Sequence, residues 1–272
     1  MARTRGKSGS SGIGLFGRGA GIPRSAGYLV LSTRPLHIMI FLLPFLALYE
    51  LGSIMYLRHP AEGVQESIAA YGILDEFFKA FGVASFHIPS VLLLVILSIW
   101  HILEKDPLSI RWSVFLRMFA ESVIWTMPLL VFGLLIQSQR PYLGGPPPNG
   151  GLTIAALSWQ AKLTLSAGAG VYEELLFRLV IIMGVHFVVS DIFHGSKGVG
   201  FTLGAFISAI AFALYHNIDH PGGGVDLKLL GYFTAAGLYF AALFVFRGFG
   251  IAAAAHFLYD AVVLVVIPAT RH

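Results

Sequence analysis

The chain has 272 residues, of which 56% are hydrophobic and only 12% charged, with a formal net charge of +4 and a mean hydropathy of +0.78. Soluble domains carry about 25% charged residues, so this composition excludes an ordinary soluble enzyme and points to a polytopic membrane protein. The absence of cysteine excludes a disulfide framework, a thiolate nucleophile and a cysteine-ligated metal.

Residues 1–27 are rich in Gly, Ser and Arg and poor in large apolar residues, so they are expected to be a disordered tail. Arg3, Arg5, Lys7, Arg18, Arg24 and Arg34 all precede the first acid, Glu50. Such a cluster reads as the cytoplasmic flank of a membrane segment rather than a nucleic-acid patch, and no nucleic acid partner is expected. The setting adopted is a multi-pass protein in the bilayer of a bacterial-type plasma membrane rather than an organelle, with its N-terminus cytoplasmic.

The first apolar run, 36–57, has the length of a full span and no small-residue cleavage site after it, which argues against a signal peptide. Glu50 is expected near its far interface. Residues 58–83 set Glu62, Glu66, Asp75 and Glu76 against Arg58 and Lys79, the pattern of an external loop with a short amphipathic helix. A second span over 84–103 is followed by Lys105 and Arg111, with Asp106-Pro107 reading as a helix start. The third, 113–137, holds Arg117 and Glu121 at i and i+4, an expected structural pair, and Pro128 as an expected kink.

The string GGPPPNGG within 139–151 cannot be helix or sheet and reads as an exposed connection. It divides an N-terminal membrane part, 28–151, from a core over 152–267 and a short C-terminal tail, 268–272. As one helix, the apolar stretch 152–193 would be roughly 63 Å long, about twice the hydrocarbon thickness. A break at Gly168 and Gly170 is therefore expected, giving helices over 152–167 and 171–190. Further spans are expected at 199–215, 229–246 and 250–267. The fold class is an all-α polytopic membrane helix bundle of about seven to eight transmembrane helices. If 152–167 crosses, the count is eight and the chemistry described next faces the cytoplasm; with seven it faces outward.

That chemistry begins at 171–178, VYEELLFR, inside an otherwise apolar run. Each charge near a bilayer centre costs roughly 2.5 to 3.5 kcal/mol on insertion scales, so these residues need partners. Glu174 and Arg178, at i and i+4, can neutralise each other, which leaves Glu173 to find a partner on another segment. The string FALYH places Phe212 and His216 one turn apart, with His216 at the end of its span. Because consecutive spans are antiparallel, His216 and Glu173 are expected to meet. In HFLYD, His256 and Asp260 share a helix face at i and i+4.

A carboxylate beside a histidine can take a proton from water, and the resulting hydroxide can attack an amide carbonyl while neighbouring groups hold the oxyanion. The bland alternative is a salt-bridge knot with packed histidines. A third reading is a metal-dependent hydrolase, with Glu173, His216 and His256 offered to zinc and His220 as a further ligand at i+4 from His216.

EELLFR, FALYH and HFLYD resemble the three signatures, EExxxR, FxxxH and HxxxN/D, of the CAAX prenyl endopeptidase and bacteriocin-processing (CPBP, or Abi) family, in order and in spacing. The resemblance implies an intramembrane glutamate protease of multi-helix fold, with no obligatory metal or other cofactor, acting on a peptide or lipidated protein near the membrane surface. Carried over, Glu173 activates water with His216, Glu174 and Arg178 hold the helix, Phe212 packs, and His256 with Asp260 forms the oxyanion hole. The prenyl proteases proper carry Asn where this chain has Asp260, and an ionised Asp would repel an oxyanion. Asp260 must then carry a proton or orient His256 instead. A non-catalytic immunity or scaffold protein of the same fold is the alternative from a different class.

Overall fold

In the computed structural model, which describes residues 26–59, 64–65, 69–80, 87–137, 154–216, 218–219 and 223–269, the apolar runs are helices. A short α1 (Tyr28–Leu31) leads into α2 (Pro35–Tyr56), followed by α3 (Ala69–Ala80), α4 (Ile88–Glu104) and α5 (Trp112–Gln137). The second half holds α6 (Trp159–Ile192), α7 (Lys197–Tyr215), α8 (Leu227–Arg247) and α9 (Phe249–Val266). Strand pairing among the described residues is limited to a two-residue ladder of Arg58–His59 with Val64–Gln65 and a bridge from Asp219 to Val225. Six described helices, α2 and α5 to α9, are long and apolar enough to cross a membrane, and the apolar α4 is shorter at 17 residues. The chain forms the all-α bundle that its hydropathy predicts.

Local chemistry sets the helix ends. Pro35 stands in the first turn of α2, where its missing N–H costs nothing. The Ser158 hydroxyl accepts from Ala161 N at 3.2 Å to start α6, and that of Ser196 accepts from Val199 N at 3.3 Å to start α7. The Asp226 carboxylate caps α8 by accepting from Lys228 N and Leu229 N at 3.0 and 3.3 Å. Between α8 and α9 the whole reversal is made at Gly248, whose φ of +84° is a conformation that side chains disfavour. Residues 106–111 are irregular and α5 begins only at Trp112, so Asp106-Pro107 does not start that helix.

The expected break at Gly168 and Gly170 does not occur. Gly168 is helical, with φ −65° and ψ −46°, and α6 runs unbroken through π-helical turns at Ala169–Glu173 and Leu175–Ile182. The glycine serves close approach instead. A Cβ on Gly170 would lie 2.6 Å from the Ala253 carbonyl oxygen and 2.8 Å from Phe257 Cβ, so only a bare backbone lets α9 lie against α6 at that level. One unbroken helix also removes the eight-span count, because no separate span covers 152–167. The six long helices together with the shorter α4 make seven apolar helices among the described residues.

The last helix is the hub. Ala252 to His256 are all buried, and α9 packs against α2, α5, α6 and α8. Small side chains allow that approach where lipid supplies no hydrophobic drive between helices. The outer faces are apolar: Leu116, Ile124, Val131 and Leu135 form a stripe on α5 that is more than half exposed, as a lipid-facing surface requires.

Polar ties close the end of the bundle where α2 and α9 begin. Arg34 Nη1 lies 2.9 Å from Glu104 Oε2 and 3.5 Å from Asp106 Oδ1. Burial holds the Asp106 carboxyl above the usual aspartate range, while Arg34 pulls the other way. Glu121 is not paired with Arg117, which is exposed; it takes a two-point ion pair from Arg247 and hydrogen bonds from Tyr28 and Trp125. The buried partner prevails because a guanidinium within the bundle needs a carboxylate, whereas an exposed Arg117 can reach the interface. The 1–25 part of the basic tail, Glu62, Glu66, the 139–151 connection, His220 and residues 270–272 lie outside the described residues.

Candidate active site

Glu173 ends a π-helical turn of α6 and Glu174 follows it directly. In a regular helix Glu173 and Glu174 would diverge by about 100°. Here both reach the imidazole of His256 on α9, one carboxylate at each nitrogen. Glu174 Oε1 is 2.9 Å from Nδ1, and Glu173 Oε2 is 3.8 Å from Nε2. π-Bulges are frequent at functional sites.

Arg178 completes the inner layer. It is fully buried, with Nε 3.1 Å from Glu174 Oε2, and its Nη2 donates to the Gly237 carbonyl at 3.4 Å. Its guanidinium carbon stands 4.6 Å from the Phe212 ring centroid, 5.5 Å from that of Phe240 and 5.8 Å from that of Phe177. Nη1 has no hydrogen-bond partner, so ring faces replace part of the lost hydration. Glu174 thus bridges the Arg178 guanidinium on one oxygen and the His256 ring on the other. Glu174 contacts Nδ1 of His256, while Asp260, to which the sequence gave the orienting of His256 as one option, lies near Nε2. The Phe240 ring stacks on His256 at 4.5 Å and holds the plane.

Asp260 lies one turn along α9 with Oδ2 3.7 Å from His256 Nε2, on the same side of the ring as Glu173. Its side chain is 21% exposed against 5% for Glu173, so the site opens past Asp260. Glu173 Oε1 accepts a hydrogen bond from Tyr215 Oη at 3.3 Å, and Glu173 Oε2 is buried without a hydrogen-bond partner.

His216 follows the last residue of α7, as its position in FALYH predicts. Its Nδ1 is 2.8 Å from the Phe212 carbonyl oxygen, which can only accept, so Nδ1 carries the hydrogen and Nε2 of the neutral ring holds a lone pair. The ring stacks on Phe233 at 4.1 Å and leans on Phe212 at 4.4 Å. The expected meeting of Glu173 and His216 takes a different form. Glu173 lies against Tyr215 and His256, and the Phe212 ring packs 4.4 Å from the His216 ring and 6.0 Å from that of His256. Helix termination just before His216 turns its ring back over its own last turn.

Tyr215 and Phe240 were not singled out in the sequence. An aromatic residue in an apolar span carries no signal of its own, although the position of Tyr215 beside His216 was open to reading. A further polar group flanks the site. Glu50 accepts from Ser90 Oγ and from Tyr172 Oη, the residue before Glu173, and lies 2.6 Å from His87 Nδ1. Among the described residues, no group of three His, Asp or Glu side chains has an arrangement that could hold a metal ion.

The comparison with known families bears on this same region. Residues 155–262 match the model of the family described as Rce1-like, type II CAAX prenyl endopeptidase Rce1-like. This region is similar to that family. The match covers about two fifths of the chain and takes in Glu173, Glu174, Arg178, Phe212, His216, His256 and Asp260. No curated protein and no solved structure matches the chain. At family level the match supports a CAAX-type intramembrane protease, and the apolar helices support an integral membrane protein.

Proposed function

We propose that the protein is an endopeptidase that hydrolyses a peptide bond near the membrane surface with water activated by Glu173. The observation that carries this reading is Glu173 Oε2, a buried carboxylate oxygen with no hydrogen-bond partner, 3.8 Å from an imidazole that Glu174 orients. Water bound at that oxygen gives its proton to Glu173, and the hydroxide adds to the scissile carbonyl carbon as the carbonyl electron pair moves to oxygen. His256 and a protonated Asp260 donate to that oxyanion. Collapse of the intermediate breaks the C–N bond, and the leaving amine takes the proton from Glu173, with the His216 Nε2 lone pair as the second proton acceptor near the opening.

Charge balance supports the protonated form of Asp260. Arg178 and a protonated His256 neutralise two of the carboxylates Glu173, Glu174 and Asp260, and the third is neutral if it keeps its proton. The step uses no metal and no other cofactor. The substrate is a peptide or lipidated protein segment, drawn from the CAAX-type activity that the family description names.

The seven-helix order also favours one side for the site. Arg34, Lys105, Arg111, Lys197 and Arg247 lie at the end opposite the opening of the site. Arg58, Lys79, Lys162 and Lys228, with Glu76, Asp219 and Asp226, lie at the end of His216, while Arg3, Arg5, Lys7, Arg18 and Arg24 precede the opposite end in sequence. An excess of Lys and Arg marks the cytoplasmic side, so the N-terminus is cytoplasmic and the site opens away from the cytoplasm. This reading differs from the cytoplasm-facing site that eight spans would give. The function is tested by comparing peptide termini in membrane fractions that carry the wild-type protein or Glu173→Gln. New termini that vanish with the variant identify an enzyme and its substrate, whereas identical termini with the biological effect retained identify a scaffold.

A further inference from the structure

The hydroxyl of Tyr215 lies between two groups that belong to different parts of the molecule. The Ala70 amide N–H, in the first turn of α3, donates to Tyr215 Oη at 2.8 Å. An amide N–H can only donate, so the single phenolic proton is free to point the other way, and Tyr215 Oη donates to Glu173 Oε1 at 3.3 Å. The ring cannot swing aside, because it is wedged edge-on against Phe177 at 5.2 Å and against His216 at 5.2 Å. Ala70 is fully buried, and α3 packs on α4 and on the π-helical turn that carries Glu173.

We infer that Tyr215 is a positioning residue that fixes which oxygen of Glu173 reacts and makes that geometry depend on the docking of α3. It occupies Oε1 and thereby leaves Oε2, the oxygen facing His256, as the one free to hold water. The Ala70 N–H is one of the donors that a helix start leaves unsatisfied, so the same hydroxyl also completes α3. A helix outside the membrane-crossing set is in this way coupled to the carboxylate through one shared group. The inference rests on the reading of Glu173 as the general base.

The test uses the reconstituted full-length protein and a fluorogenic peptide ending in a farnesylated CAAX sequence. Tyr215→Phe keeps the ring and removes the hydroxyl that donates to Glu173 and accepts from the Ala70 N–H. Its kcat per folded molecule is expected to fall tenfold or more, roughly the effect of losing a hydrogen bond to a charged group, with KM changed by less than about twofold, while the unfolding midpoint falls only modestly because the buried Ala70 N–H loses its acceptor. Ala70→Pro removes the amide donor at a first-turn position that tolerates proline. It should lower kcat alone and add nothing further in the Tyr215→Phe background. Wild-type kcat in Tyr215→Phe while Glu173→Gln is inactive would overturn this inference and leave the proposed base standing. So would a loss of activity that merely follows a loss of folded protein. A wild-type protein that leaves the peptide uncut, or a fully active Glu173→Gln, would overturn the proposed function and this inference with it.

Discussion

Replacing Arg178 by alanine removes a fully buried cation from a site that leaves Glu174 no other guanidinium. Breaking a buried ion pair by deleting one partner costs about 3–5 kcal/mol, because the remaining charge is stranded in a low dielectric. The ring faces of Phe212, Phe240 and Phe177 lose a cation at the same time, a contribution of about 0.5–2 kcal/mol. His256 on the other oxygen of Glu174 offsets part of this loss, so about 3–5 kcal/mol is the expected total. Unfolding of the purified protein in mixed micelles, followed by circular dichroism, measures it. The double variant Glu174→Gln with Arg178→Met removes both charges and should recover a large part of the stability, since an apolar replacement of a whole buried pair is often close to neutral. A cost below about 1 kcal/mol for Arg178→Ala, or a double variant as unstable as the sum of the single ones, would refute the buried-pair account.

Other outcomes follow from the same geometry. Gly170→Ala should destabilise by about 1–3 kcal/mol through overpacking against Ala253 and Phe257, whereas Gly184→Ala, where a Cβ meets nothing within 4 Å, should not; thermal unfolding compares them. Asp260→Asn supplies a permanent donor of nearly the same shape and should remain active in a peptide-cleavage assay, while an inactive, fully folded Asn variant would remove the protonated-Asp reading. The chain has no cysteine, so single-cysteine variants report sidedness cleanly. In intact cells an impermeant maleimide should label Val225→Cys and should reach Ser109→Cys only after permeabilisation; the reverse pattern would place the site on the cytoplasmic side.

The short-range pairs were legible because a helix repeats every 3.6 residues: Glu174 with Arg178, and His256 with Asp260, both follow from i, i+4 spacing. The same periodicity misled elsewhere. It separated Glu173 from Glu174, but in α6, which carries π-helical turns, both reach one imidazole. It also paired Glu121 with Arg117, whereas the partner, Arg247, is 126 residues away and is placed by the way α8 returns beside α5. Gly168 and Gly170 read as a helix break because glycine is a poor helix former, yet Gly170 is explained by contact with α9, which no local signal announces. Tyr215 was hidden for a similar reason. Its role comes from Ala70 and Glu173, which precede it by 145 and 42 residues.

The central claim is that Glu173 acts as the base while the surrounding ion pairs hold the fold, and Glu173→Gln separates the two. Glutamine keeps the volume and can still accept from Tyr215, but it cannot take a proton from water. The decisive measurement is cleavage of one peptide substrate by wild-type and Glu173→Gln proteins, both reconstituted in vesicles after their unfolding midpoints have been compared. The account predicts cleavage by the wild type and none above background for the variant, with midpoints that agree closely. Equal cleavage by a correctly folded Glu173→Gln protein would contradict it.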